Sequence, residues 1–117
     1  MERRPAGADP ESAIDALLAH YEAQGDFALA VLARESFDPR AAEITATGKA
    51  LHRQWVQEAF AERLPEDPAR REALLDLLVV ATDVYAWKLL RRDRAHPLPV
   101  VRERLLAMVE ALLATAS

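Results

Sequence analysis

The chain has 117 residues, with 15 Lys and Arg against 19 Asp and Glu, a net charge of −4, and no cysteine. That length makes about one domain with a real core. The negative balance supplies no basic field for nonspecific nucleic-acid binding, and the absence of cysteine excludes a disulfide scaffold or a thiolate metal site. Hydrophobic residues make up 51% and glycines number only 3. With Ala, Leu, Glu and Arg dominant, this composition predicts an all-α protein. Met1–Pro10 lacks the apolar centre of a signal peptide, so a soluble, cytoplasmic protein is expected.

Residues 1–9 read as a flexible arm carrying two arginines, Pro5 and Gly7, and residues 10–117 as one domain. Asp9-Pro10 starts the first helix, because Asp caps it and Pro fits its first position, where no amide hydrogen is needed. Ile14, Leu17, Leu18 and Tyr21 give it one apolar face. Gly25-Asp26 is expected to end that helix and cap a second over about 27–36, with Phe27, Leu29, Val31 and Leu32, and Phe37 just past its end, turned inward. Asp38-Pro39 opens a long third helix to about Arg63. Its apolar face is Leu51, Trp55, Val56 and Ala59, with Phe60 beside them. Gly48 interrupts this helix at a cost of about 1 kcal/mol against Ala unless a kink or close contact is wanted there. Asp67-Pro68 starts a fourth helix to about 92–94. His96-Pro97-Leu98-Pro99 is a rigid connector, and the fifth helix covers about 100–114. Its apolar line is Val101, Leu105, Met108, Val109 and Leu112, with Leu98, Leu106 and Leu113 alongside. The expected fold is a bundle of about five helices.

The fourth helix is the most distinctive. Its segment ALLDLLVVATDVYAWKLLRRD (residues 73–93) is apolar around nearly its whole circumference, whereas a surface helix of a small bundle keeps a polar face. Such a helix needs cover on two sides, and a second subunit is the economical source. Asp76, Asp83 and Lys88 argue against the rival membrane span.

Three segments together resemble the C-terminal regulatory domain of TetR/AcrR-type transcriptional regulators. They are DALLAHYEAQGDFALAVLARE at 15–35, TGKALHRQWVQEAFAERL at 47–64, and ATDVYAWKLLRRD at 81–93 followed by VRERLLAMVEALLA at 101–114. The resemblance implies a small-molecule site among the helices, and last two long helices that pair with those of a twin subunit as a four-helix bundle. Members of that family begin with a three-helix DNA-binding region, and nothing before Asp9 matches it. The chain as given is therefore expected not to bind DNA. An excised fragment, a truncated reading frame and a stand-alone relative are all open readings.

The candidate ligand-binding residues are Tyr21, Phe27, Leu32, Leu51, His52, Trp55, Asp83 and Trp87, which combine aromatic bulk with two titratable groups. Each has a plainer reading. Aromatics at helical spacing are more often core, and a carboxylate like Asp83 more often one bonded to Arg, His52 or Tyr85. The seam of the expected homodimer is assigned to Leu78, Tyr85, Leu89, Leu105, Met108 and Leu112. No metal site is expected: His20 and Glu22 point to different sides of a helix, no HExxH pair exists, and His96 lies in a Pro-rich turn. No cofactor or catalytic residue is expected either, since nucleophile elbow, phosphate-binding glycine loop and cysteine are all lacking. Lys88, Arg91, Arg92 and Arg94 read as a helix C-terminus meeting its dipole, with a phosphate-bearing or acidic partner as the alternative. The leading functional reading is a ligand-sensing, dimerising regulatory domain for a small, largely apolar effector. Its rival is a structural or interaction module, a filled helical dimer pairing with itself or with a full-length relative.

Overall fold

Each Asp-Pro pair caps a helix. In the computed structural model, which describes residues 9–116, the Asp9 carboxylate accepts from the Ser12 amide at 2.7 Å, Asp38 from Arg40 at 3.0 Å, and Asp67 from Arg70 at 2.9 Å. The helices that follow are α1 (Pro10–Leu32), α2 (Pro39–Ala59) and α3 (Pro68–Ala81). A short α4 (Val84–Lys88) runs into one π-helical turn at Leu89–Asp93, and α5 (Leu98–Ala114) completes an all-helical chain. Apart from Asp9, the arm expected over residues 1–9 lies outside the described residues.

The expected break at Gly25-Asp26 does not occur: α1 continues through it to Leu32. A Cβ on Gly25 would lie 2.5 Å from Cζ3 of Trp87, so glycine stands there to admit an indole ring against the helix backbone. The cost of a mid-helix glycine is offset by the burial of a large aromatic surface. Trp87 is 0% exposed, donates its Nε1–H to Glu22 at 2.9 Å, and carries the Arg92 guanidinium 4.7 Å from its ring centre. Arg91 makes a forked contact with Glu22, with Nε and Nη2 each 3.0 Å from a carboxylate oxygen, and Arg92 does the same to Asp26. The single π turn places both arginines on the α1 side, and Arg91 also donates to the His96 carbonyl at 3.1 Å. Lys88 pairs with Asp93 at 2.9 Å. Three of the four basic residues of this cluster are thus occupied within the chain.

The remaining boundaries differ in detail. α2 stops at Ala59 and a 3-10 turn covers Ala61–Arg63, where a helix to Arg63 was expected. The expected fourth helix is two, because Thr82 and Asp83 leave helical geometry between α3 and α4. Asp83 adopts extended backbone and its carboxylate accepts the Tyr85 amide at 2.9 Å, capping α4. Short polar side chains compete for local backbone groups in this way, and an apolar periodicity does not reveal it. Beyond the π turn, Ala95 takes φ 55°, and the His96 amide returns to the Leu90 carbonyl at 3.1 Å to close the segment.

α1 packs against α2, α4 and α5. The core is built on Ile14, Leu17, Val56, Leu78, Trp87, Val101, Leu105, Val109 and Leu113, all nearly inaccessible. Two seam assignments fail here: Leu78 and Leu105 are fully covered within the one chain, so neither is available to a second subunit. The same covering corrects the expectation that the apolar residues of segment 73–93 need a partner on two sides. Leu74, Leu75, Leu78 and Ala81 are buried on α3, which packs against α2 and α5, while Leu77 and Val80 face out. Phe27 and Phe37, expected inward, are 63% and 67% exposed; the Arg34 guanidinium sits 5.2 Å from the Phe37 ring centre. Among the described residues, no helix is long and apolar enough to cross a membrane.

Two outcomes follow. Gly25→Ala forces the Trp87 ring or α1 to shift, and should cost about 1–3 kcal/mol in urea unfolding even though alanine is the better helix former. The Glu22 carboxyl is held below its ordinary pKa first by the hydrogen bonds from Arg91, opposed by burial and assisted by Trp87. Its stabilising contribution is therefore complete above the unfolded carboxylate value of about 4.3 and is lost as pH falls through the lower folded-state value. Glu22→Gln should lower the melting temperature at pH 7 and flatten its decline over that acid window.

Candidate functional site

A groove of about 610 Å³ is lined by α1, α2 and the start of α4. From α1 come His20, Tyr21, Gln24, Phe27, Ala28, Val31 and Leu32. From α2 come Ile44, Thr45, Gly48, Lys49, Leu51 and His52, and from α4 and its cap Asp83, Val84 and Tyr85. A smaller depression of about 250 Å³ shares Phe27, Val31 and Ile44 with it and ends at Arg34, Asp38 and Arg40.

Apolar side chains form the rim. Phe27, Ile44, Leu51 and Tyr85 are large hydrophobic residues left substantially exposed, and all four line this groove. The sequence places Leu51 on the inward face of α2, but it is 55% exposed and stands at the rim.

The floor beside α4 is polar and tightly bonded. Tyr21 donates its hydroxyl to the Thr82 carbonyl at 2.8 Å, which the break before Asp83 leaves outside the helical ladder. The Thr82 hydroxyl donates to the Leu78 carbonyl at 2.7 Å and lies 3.1 Å from His52 Nε2. A hydroxyl has one proton, and here it is directed to Leu78. His52 must therefore be the donor to Thr82, carrying its proton on Nε2. A hydroxyl beside an imidazole otherwise suggests a nucleophile and its base. Here the polarity is reversed and Thr82 is 0% exposed, so no substrate reaches the oxygen.

Of the eight candidate ligand residues, Tyr21, Phe27, Leu32, Leu51, His52 and Asp83 come together around the groove. Trp55 and Trp87 do not line it. Both are buried one layer behind: His52 stacks on Trp55 with ring centres 5.9 Å apart, and Tyr21 tilts against Trp87 at 6.0 Å. Asp83 is half-buried, and its carboxylate is engaged in capping α4.

On α1, the groove stripe that sequence reading passed over was hidden by the supposed break at Gly25. Read as one continuous helix, His20, Gln24, Phe27 and Val31 fall at i, i+4, i+7 and i+11, a single stripe. On α2, Thr45, Gly48 and His52 fall at i, i+3 and i+7. Gly48 behaves oppositely to Gly25: a Cβ there meets nothing within 4 Å, because it would project into open groove. Among the described residues, no three His, Asp or Glu side chains gather as a metal site.

The chain matches no protein-family model, no curated protein and no solved structure.

Because Gly48 sits in a helix interior with free space above it, Gly48→Ala should stabilise the fold by about 1 kcal/mol. Urea unfolding of the two proteins measures this; a loss of stability would mean that the backbone at 48 needs glycine.

Proposed function

We propose that this chain is a helical module that takes up a small, largely apolar molecule in the groove between α1, α2 and α4. The observation that carries the reading is the convergence of Phe27, Ile44, Leu51 and Tyr85 on one concavity of about 610 Å³ with a bonded polar floor. Ligand sites commonly have this form: mostly apolar walls, with a few placed polar groups that orient the guest. Binding is favoured over catalysis because Thr82 is inaccessible and Asp83 and His52 are committed to structural hydrogen bonds.

The resemblance to TetR/AcrR-type regulatory domains supports a finer form of this reading, in which binding is sensed and passed to a homodimer seam. Of the residues first assigned to that seam, Tyr85, Leu89 and Met108 face solvent and Leu112 is half-buried. Tyr85 stands in both sets, at the groove wall and on the outward side of α4. A guest that displaces Tyr85 would move α4, and with it Leu89. The rival reading, a structural helical dimer without a ligand, draws on the same outward side chains and on the exposed Leu77 and Val80.

N-phenyl-1-naphthylamine, a neutral apolar dye, tests the proposal directly. Saturable fluorescence enhancement at one dye per chain is expected, and dye at 100 times its dissociation constant should add about 2.7 kcal/mol of stability. Gly48→Leu, which sends a side chain across the groove, should abolish the binding and leave the helical circular-dichroism spectrum unchanged. Absence of saturable binding to the wild type, or undiminished binding to the variant, would refute the groove as a site. Light scattering with and without dye then tests the coupling to dimerisation.

A further inference from the structure

The groove has one polar side chain that the fold leaves unsatisfied. Thr45 is 7% exposed and lines the groove, yet its hydroxyl has no hydrogen-bond partner among the described residues. A buried hydroxyl without a partner is unfavourable, and such groups in folded proteins call for an explanation. About one helical turn further on is Gly48, which also lines the groove and where a Cβ would meet nothing within 4 Å. His52 continues the same line of α2 toward the Thr82 network.

The charges around the groove limit what the guest can be. Lys49 reaches Glu35 at 3.6 Å and is mostly exposed, and Asp83 is the cap of α4. Both formally charged lining residues are thus already engaged, and neither is buried as an ionic anchor. A hydroxyl both donates and accepts one hydrogen bond at modest strength, so its natural complement is another uncharged group that does the same.

We propose that the groove selects an uncharged, hydrogen-bonding apolar molecule (an alcohol or phenol), its polar group seated on Thr45 beside Gly48 and its apolar body against Phe27, Ile44 and Leu51. This rests on the groove being a small-molecule site. The Thr45 oxygen is itself covered, so engaging the guest takes a turn about χ1, and threonine in a helix divides between two χ1 rotamers. Thr45 is here a specificity residue, while affinity comes from the apolar rim.

Displacement of N-phenyl-1-naphthylamine by a matched set of probes separates the outcomes. The set is naphthalene, 2-naphthol, 2-naphthoate and 2-naphthylmethylammonium, used at neutral pH on the wild type, Thr45→Val and Thr45→Ser. The wild type should prefer 2-naphthol to naphthalene by about 3- to 10-fold, the ratio equivalent to one neutral hydrogen bond. It should also disfavour both charged probes. Thr45→Val should erase the naphthol preference, keep the affinity for naphthalene, and melt no lower than the wild type, since it removes an unsatisfied hydroxyl. Thr45→Ser should restore the preference. An unchanged naphthol preference in Thr45→Val, tighter binding of a charged probe to the wild type, or a lower melting temperature for Thr45→Val would each overturn the assignment. Dye binding with no role for Thr45 overturns this inference alone, whereas no dye binding at all overturns the groove reading beneath it.

Discussion

The approach of the Trp87 ring to the backbone of α1 at Gly25 is the contact on which the rest of the arrangement depends. A Cβ at that position would fall within 2.5 Å of the ring. With glycine there, the indole packs against a continuous helix, is bonded through its nitrogen to Glu22 on that helix, and has the Arg92 guanidinium over its ring. Most of the energy in such a lock comes from the buried aromatic area, not from the ion pairs around it, because Asp26 and Arg92 remain solvent-accessible. The forked arginines contribute direction. They hold the π turn, and therefore α4, at one rotation relative to α1.

That fixed rotation determines where the groove ends. α4 begins after its cap Asp83 only because the chain leaves helical geometry at Thr82, and the released Thr82 carbonyl is taken up by Tyr21 from α1. His52 from α2 reaches the same threonine. One buried residue is thus bonded to two other helices, so the three elements around the groove floor meet at a point with fixed geometry. Buried hydrogen bonds of this kind specify one arrangement of the helices more sharply than apolar packing does. The rim is different: Phe27, Leu51 and Tyr85 lie on three elements and are substantially exposed.

Much of the fold was legible in the sequence because its signals are local. Three Asp-Pro pairs mark three helix starts, and the spacing of Ile14, Leu17, Leu18 and Tyr21 gives the buried face of α1. What was not legible depends on residues distant in sequence. Gly25 reads as a helix end until Trp87, far along the chain, is known to lie against it. The apolar run at 73–93 reads as one two-sided helix because hydrophobicity alone does not show Asp83 capping a new one. The same misreading assigned Leu78 and Leu105 to a seam, where a single chain already covers them. For the site, the individual residues Tyr21, Leu51, His52 and Asp83 were accessible to reasoning from residue type. Thr45 and Gly48 were not, because their interest lies in what the tertiary structure fails to place beside them.

Local rules are broken in two ways in this chain, and the difference between them is informative. A glycine within a helix weakens it, and the chain has two such residues. At Gly25 the weakness is compensated at once by the seating of Trp87. At Gly48 nothing in the described structure compensates it, since an alanine would fit without contact. Thr45, one turn away, is likewise uncompensated, and the exposed Ile44 and Leu51 beside them continue the pattern. Sequences that specify a fold well are consistent from propensity to packing, and their uncompensated departures gather where function imposes a competing demand. Here several departures fall on one face of α2, opposite an equally exposed Phe27 on α1. That coincidence is hard to attribute to stability, because each departure lowers it. It is what a helix face shaped to receive something other than its own chain would look like.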